Sequence, residues 1–200
     1  MTTATPPAWA QALLMLVTPL RHRDGIAGDF LEEYRDVEVP RRGDAGADAW
    51  YVRQVLMFLW RAARWWGLAL GALLVIRDAA DIYVPTHDYY VRSAWTTYTA
   101  MSIYAVSGAR AGWYYGRVLS GTLIGITTGV IASIIGVIAP LLFMSALVVR
   151  HTHGYDGLWE ALDVPVPVIL AFGAVLGGLG AAIGRGAGGR RRPLHLKTED

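Results

Sequence analysis

Two hundred residues that are 54% hydrophobic and only 17% charged, with a mean hydropathy of +0.35, are too apolar for an ordinary soluble domain and suit a polytopic membrane protein with a modest soluble portion. A net charge of +2 gives no argument for a nucleic-acid partner, and the lack of cysteine removes disulfide frameworks and thiolate chemistry. Eight tryptophans and ten tyrosines gather near the ends of the apolar runs, where amphipathic rings favour the depth of the lipid headgroups.

The opening stretch, MTTATPPAWAQALLMLVTPLRHRD, has no positive charge before its apolar run and no small-residue cleavage pattern after it, so it is expected to remain in the mature protein. Pro7 suits a first helical turn, and Trp9, Leu13, Leu16 and Val17 would make the apolar face of a helix ending at Pro19. A second helix is expected from Asp24, an N-cap candidate, to Pro40. Its apolar stripe would be Ile26, Phe30, Tyr34 and Val37, and its opposite face Asp29, Glu32, Glu33 and Asp36. Four carboxylates on one face repel one another unless cations lie nearby, and Arg21, Arg23, Arg41, Arg42 and Arg53 are the available partners. That face is either a solvated surface or a docking site for a partner. Residues 41–48 read as a flexible connection.

A long helical pattern begins at Ala49, but its charge-free part, Trp65 to Ile76, is only twelve residues and cannot span a bilayer alone. Arg61 and Arg64 can lay their stems along it and lift their heads to the interface marked by Trp60, Trp65 and Trp66, which puts a first span at 61–82. The second span, 93–115, is rich in Thr, Ser and Tyr, whose hydroxyls can bond backbone carbonyls or cross to a neighbouring helix, and Arg110 lies near its inner end. The third, 118–149, runs for thirty-two residues without an ionisable side chain. As a helix it would be about 48 Å long against a hydrocarbon thickness of about 30 Å, whereas two spans would need about twenty residues each, so one overlong or tilted helix is expected, bent near Pro140. The fourth span, 164–184, begins around Pro165 and Pro167 and stops before Arg185.

Glycine spacing is the informative feature inside the bilayer. Gly121, Gly125 and Gly129, followed by Ser133, make a small-residue ridge on the third span, and Gly173, Gly177 and Ala181 make another on the fourth, with Gly180 and Gly184 beside it. Such ridges would pack the third and fourth spans together within one subunit, join subunits, or leave a gap for a substrate. The cationic residues give the topology independently. With the amino terminus inside, the inner segments carry fifteen Lys/Arg and the two outer loops, 77–92 and 150–163, carry three, which favours four spans and both termini in the cytoplasm.

Candidate chemistry is thin. His151, His153 and Asp156 are of metal-ligating types, but their spacing fits no standard site and reads more simply as a polar turn. Arg77 and Asp81 form an i,i+4 pair, an interfacial ion pair if the first span ends there and part of a proton or ion path if it lies deeper. No P-loop, dinucleotide fingerprint, H-E-x-x-H or G-x-S-x-G motif is present, and no catalytic, cofactor or metal site is assigned.

The run Gly28-Asp29-Phe30-Leu31-Glu32-Glu33-Tyr34-Arg35, followed by Trp50-Tyr51-x-Arg53-Gln54, resembles the small cytoplasmic helical prefix found ahead of the transmembrane region in bacterial permeases of the MacB/FtsX-like type, the permease prefix domain. The resemblance covers about residues 8–64. It implies a bacterial inner-membrane protein, but the outer loops of about fifteen residues leave no room for the large extracytoplasmic domain of those permeases, so transport activity does not carry over and a short stand-alone member is expected.

The resulting expectation is an all-α chain: a cytoplasmic helical module at 1–48, a four-transmembrane-helix bundle at 49–187 and a basic cytoplasmic tail at 188–200. Its function would be that of a non-enzymatic accessory, docking or regulatory subunit, bound by membrane lipid and by another membrane protein or a second copy of itself, with Asp29, Glu32, Glu33 and Asp36 as the docking face. The alternative is a small oligomeric transporter or channel with a polar path along Thr97, Tyr104 and Arg110; a membrane enzyme stands third.

Overall fold

The computed structural model describes residues 4–84, 88–143 and 165–189, and all the regular structure among them is helical. Helices α1 (Ala8–Val17) and α2 (Arg23–Glu33) are followed by a π-helical turn, Tyr34–Glu38, and then by α3 (Val39–Tyr83), α4 (Tyr89–Tyr115), α5 (Val118–Phe143) and α6 (Pro165–Gly189).

In α1 the Pro7 carbonyl accepts from the Ala10 and Gln11 amides, and at its other end the Thr18 hydroxyl donates to the Leu14 carbonyl before Pro19 stops the helix. Ala10, Leu14 and Val17 are its buried residues, while Trp9 is exposed. The buried face is therefore rotated from the expected Trp9, Leu13, Leu16, Val17 stripe. A helix apolar on nearly every side lets its neighbours choose the face, and here small Ala10 admits Tyr51 and Tyr34 of the adjoining elements into one core with Leu14, Ala47 and Val55. Phe30 completes it through edge-on contacts with Tyr51 and Phe58, at centroid distances of 6.1 and 5.7 Å.

The expected stripe of α2 fails at its end for a related reason. A π-helical turn holds more than 3.6 residues, so every side chain after Tyr34 arrives about one position late. Val37 is thereby turned outward, 49% exposed, and Glu38 inward, 4% exposed, where it pairs with Arg42. Nor does the chain become irregular at 41–48. Pro40 follows the π-helical turn without breaking the helical backbone, and the interruption is confined to Gly43, whose φ of 70° is left-handed. Beyond Gly43 one helix runs to Tyr83, about 60 Å at 1.5 Å per residue, twice the thickness of a hydrocarbon core. Its first turns, through Ala47, Tyr51 and Val55, belong to the N-terminal core, and the same helix continues into the bundle.

In the bundle α3 and α5 run one way and α4 and α6 the other. Gly67 and Gly71 of α3 meet Ile131 and Ile135 of α5 in the same order, and Gly108 and Gly112 of α4 meet Gly177 and Ala181 of α6 likewise, whereas Gly121, Gly125 and Gly129 of α5 meet α6 in reverse. The outward surface of these helices carries large apolar side chains along their length, among them Ile76, Val106, Val130, Ile138, Val175 and Ile183. Three helical stretches, Arg23–Ala80, Val118–Ala139 and Val166–Gly188, are long and apolar enough to cross a membrane. A water-facing bundle would not carry that belt; hydrocarbon is the solvent it suits.

Candidate functional site

The N-terminal helices are fastened to the bundle at the turn between α4 and α5. α4 ends in Gly116, whose φ of 71° is that of a left-handed cap and whose N–H donates to the Gly112 carbonyl. The Leu20 side chain packs on Gly116. At the head of α5 the buried Ser120 hydroxyl donates to the Leu16 carbonyl at 2.7 Å, satisfying one of the acceptors that the end of α1 leaves open. The buried Arg23 guanidinium donates to the Thr18 carbonyl at 3.4 Å and to the Tyr115 carbonyl at 3.2 Å, bridging the two parts. Burial, and then the nearby Arg117 cation, lower the Arg23 pKa from its ordinary value, while Asp24 acts against them.

Away from this junction, Asp29, Glu32, Glu33 and Asp36 are all exposed, and among the described residues none of the four makes an ion pair. The face is held from beneath by Tyr34, whose hydroxyl donates to Asp48 Oδ1 at 2.7 Å across the Gly43 break. Burial, reinforced by that bond and by the Asp48 and Asp44 charges, pushes the Tyr34 phenol up to about 12.

The glycines singled out in the sequence lie in helix interfaces. A Cβ on Gly125 would run into the Gly173 carbonyl, and one on Gly177 would lie 2.5 Å from the Gly121 carbonyl oxygen. Gly129 faces Tyr104 and Leu170. Gly180 and Gly184 turn to α4 instead, against the Ala105 and Ala109 backbones. Gly108 and Gly112 of α4, which sequence reasoning passed over, pack on Gly177 and Ala181 of α6, the same small residues that Gly121 of α5 meets. The G-x-x-x-G spacing at 108 and 112 was the available signal, masked by the polar, aromatic composition around it.

Thr97, Tyr104 and Arg110 sit in different surroundings along α4. Thr97 is exposed, and Tyr104 is 3% exposed, its hydroxyl donating to the Ile169 carbonyl at 3.0 Å. Arg110, itself exposed, lines a half-open pocket of about 410 Å³ between α3, α4 and α5, whose other walls include the exposed Arg61, Trp65 and Tyr114. The other hydroxyls of α4 largely turn to their own helix: Thr96 to Arg92 and Ser93, Thr99 to Trp95, Ser102 to Tyr98 and Ser107 to Tyr104, each donating to a backbone carbonyl. At the opposite end, Arg92 donates to the Ala80 and Val84 carbonyls at 2.8 and 2.6 Å and so caps the end of α3.

No protein-family model, curated protein or solved structure matches the chain. Among the described residues no group of three His, Cys, Asp or Glu side chains could hold a metal ion, and His151, His153 and Asp156 lie outside those residues.

Proposed function

We propose that the protein is a non-enzymatic subunit of the bacterial inner membrane, spanning it four times with both termini in the cytoplasm, and that its N-terminal module is a docking platform of the permease-prefix type for an integral-membrane partner. The observation that carries the docking reading is the exposed acidic quartet Asp29, Glu32, Glu33 and Asp36 on a module bonded to the bundle through Arg23 and Ser120. A charged face on a flexible tether gives a partner no fixed orientation; one bonded to the membrane core does. The fourth crossing rests on α4. It is 27 residues long, about 40 Å, and its hydroxyls donate to backbone carbonyls, which removes much of the cost of placing Ser and Thr in hydrocarbon.

The test is charge reversal at all four positions, Asp29→Lys, Glu32→Lys, Glu33→Lys and Asp36→Lys, in the full-length protein purified in mild detergent at low salt. A co-purifying membrane protein retained by the unaltered chain and lost from the variant, with melting unchanged, is the expected result. Recovery of the same complex from the variant, or of a lone subunit from both, overturns the docking reading.

A further inference from the structure

The cavity beside Arg110 is walled by Arg61, Trp65 and Trp66 of α3 and by Arg110, Tyr114 and Tyr115 of α4. Its lining residues include two cations and no carboxylate, and among the described residues neither Arg61 nor Arg110 makes an ion pair. The Trp65 ring of this wall carries the Arg64 guanidinium 5.1 Å from its centroid. The volume of about 410 Å³ falls within the range of small-ligand sites, roughly 300–1,000 Å³. Indole N–H and phenol O–H donors beside the arginines complete a wall suited to a singly or doubly charged oxyanion.

We infer that this cavity binds the phosphate headgroup of an anionic phospholipid of the cytoplasmic leaflet. The source is lipid rather than free phosphate because of what adjoins the site. Leu68, about two turns along α3 from Arg61, and Val106, about one turn along α4 from Arg110, are both exposed and lie on the side away from the turn that closes the bundle, so acyl chains can run over them while the phosphate sits between Arg61 and Arg110. Tryptophan and tyrosine at the mouth match the headgroup depth, and a basic pocket between helices on the cytoplasmic side concentrates anionic lipid. The inference rests on the proposal that α3–α6 cross the membrane with the α4–α5 turn inside.

The full-length protein, delipidated and re-equilibrated in mixed micelles of phosphatidylglycerol and phosphatidylcholine in equal amounts, is to be read by native mass spectrometry. Retention of phosphatidylglycerol over phosphatidylcholine is expected, reduced about fivefold by Arg61→Gln or Arg110→Gln and roughly 25-fold by both, at about 1 kcal/mol for each arginine near the surface. Should the glutamine pair fail to fold, the single variants decide the matter: a preference untouched by either Arg61→Gln or Arg110→Gln overturns the site, and Arg61→Lys with Arg110→Lys, which keeps the charge, should keep most of it. Equal retention of the two lipids by the unaltered protein, or a preference untouched by the glutamine pair, overturns the site. Displacement of phosphatidylglycerol by an equal concentration of inorganic phosphate overturns the lipid assignment. Carbonate washing separates the two readings: a protein released from membranes defeats the membrane placement, and one retained without lipid preference defeats only the headgroup site.

Discussion

Tyr34 shows how much one side chain holds at the residue scale. It is 2% exposed, packs edge-on against Tyr51 at 6.0 Å in the core of the N-terminal helices, and spends its hydroxyl on Asp48. Tyr34→Phe keeps the ring and removes a bond to a charged acceptor, so a loss of about 1.5–3 kcal/mol is expected, measured by thermal melting of the solubilised protein. The phenol also sets a pH response. Its folded pKa of about 12 lies above the unfolded value of 10.0, so the folded state holds the proton more tightly and its contribution is complete below pH 10. It is lost as pH rises from 10 towards 12. Melting temperature should fall across that interval together with the appearance of tyrosinate absorbance, and Tyr34→Phe should remove this part of the fall. Ser120→Ala would leave the Leu16 carbonyl without its partner at a buried junction; a cost of about 1–3 kcal/mol and faster proteolysis between α1 and α2 are expected.

Individual helices obey a different rule in each half of the chain. Gly25 and Gly28 of α2 have open space where a Cβ would stand, so Gly28→Ala should be neutral or stabilise by about 0.5–1 kcal/mol through helix propensity. In the bundle the same replacement meets backbone. Gly125→Leu would drive a side chain into the Gly173 carbonyl and separate α5 from α6, and a loss of at least about 1–3 kcal/mol is expected from melting in detergent. A variant at Gly125 that melts like the unaltered protein would show that the two helices are not held at this separation. The contrast has one cause. On the proposed membrane placement, water drives burial around α2, whereas in hydrocarbon close backbone approach supplies the attraction, and only small residues permit it.

For the whole molecule, the geometry of α3 decides the architecture. A rigid helix of about 60 Å that is shared by the N-terminal core and by the bundle couples the two, and the contacts of Arg23, Leu20 and Ser120 close the arrangement from the other side. The proposed topology has a clean test, because the chain contains no cysteine and each introduced one reports alone. Gly28→Cys, Val84→Cys and Gly186→Cys are at exposed positions. With four crossings, an impermeant thiol reagent added outside spheroplasts should label only position 84, and all three should label after lysis. External labelling at position 28 would reverse the topology and remove the docking module from the cytoplasm.

The sequence by itself determined that the chain is helical and that it holds helices long and apolar enough to cross a membrane, because these follow from composition and apolar run length; the end of the third span, expected at 144–149, lies outside the described residues. The sequence also marked small-residue ridges on the third and fourth spans, a property of spacing alone; that Gly125 meets Gly173 was decided by the packing. It did not determine which face of α1 is buried, that Val37 would give way to Glu38, or that residues 41–48 are helical save for Gly43. Those outcomes depend on what each helix meets: a helix apolar on several sides has no intrinsic inside, and a π-turn re-aims side chains without altering their pattern along the chain. Nor could spacing reveal that Arg61 and Arg110, 49 positions apart, line one cavity, since their approach depends on how α3 and α4 pack.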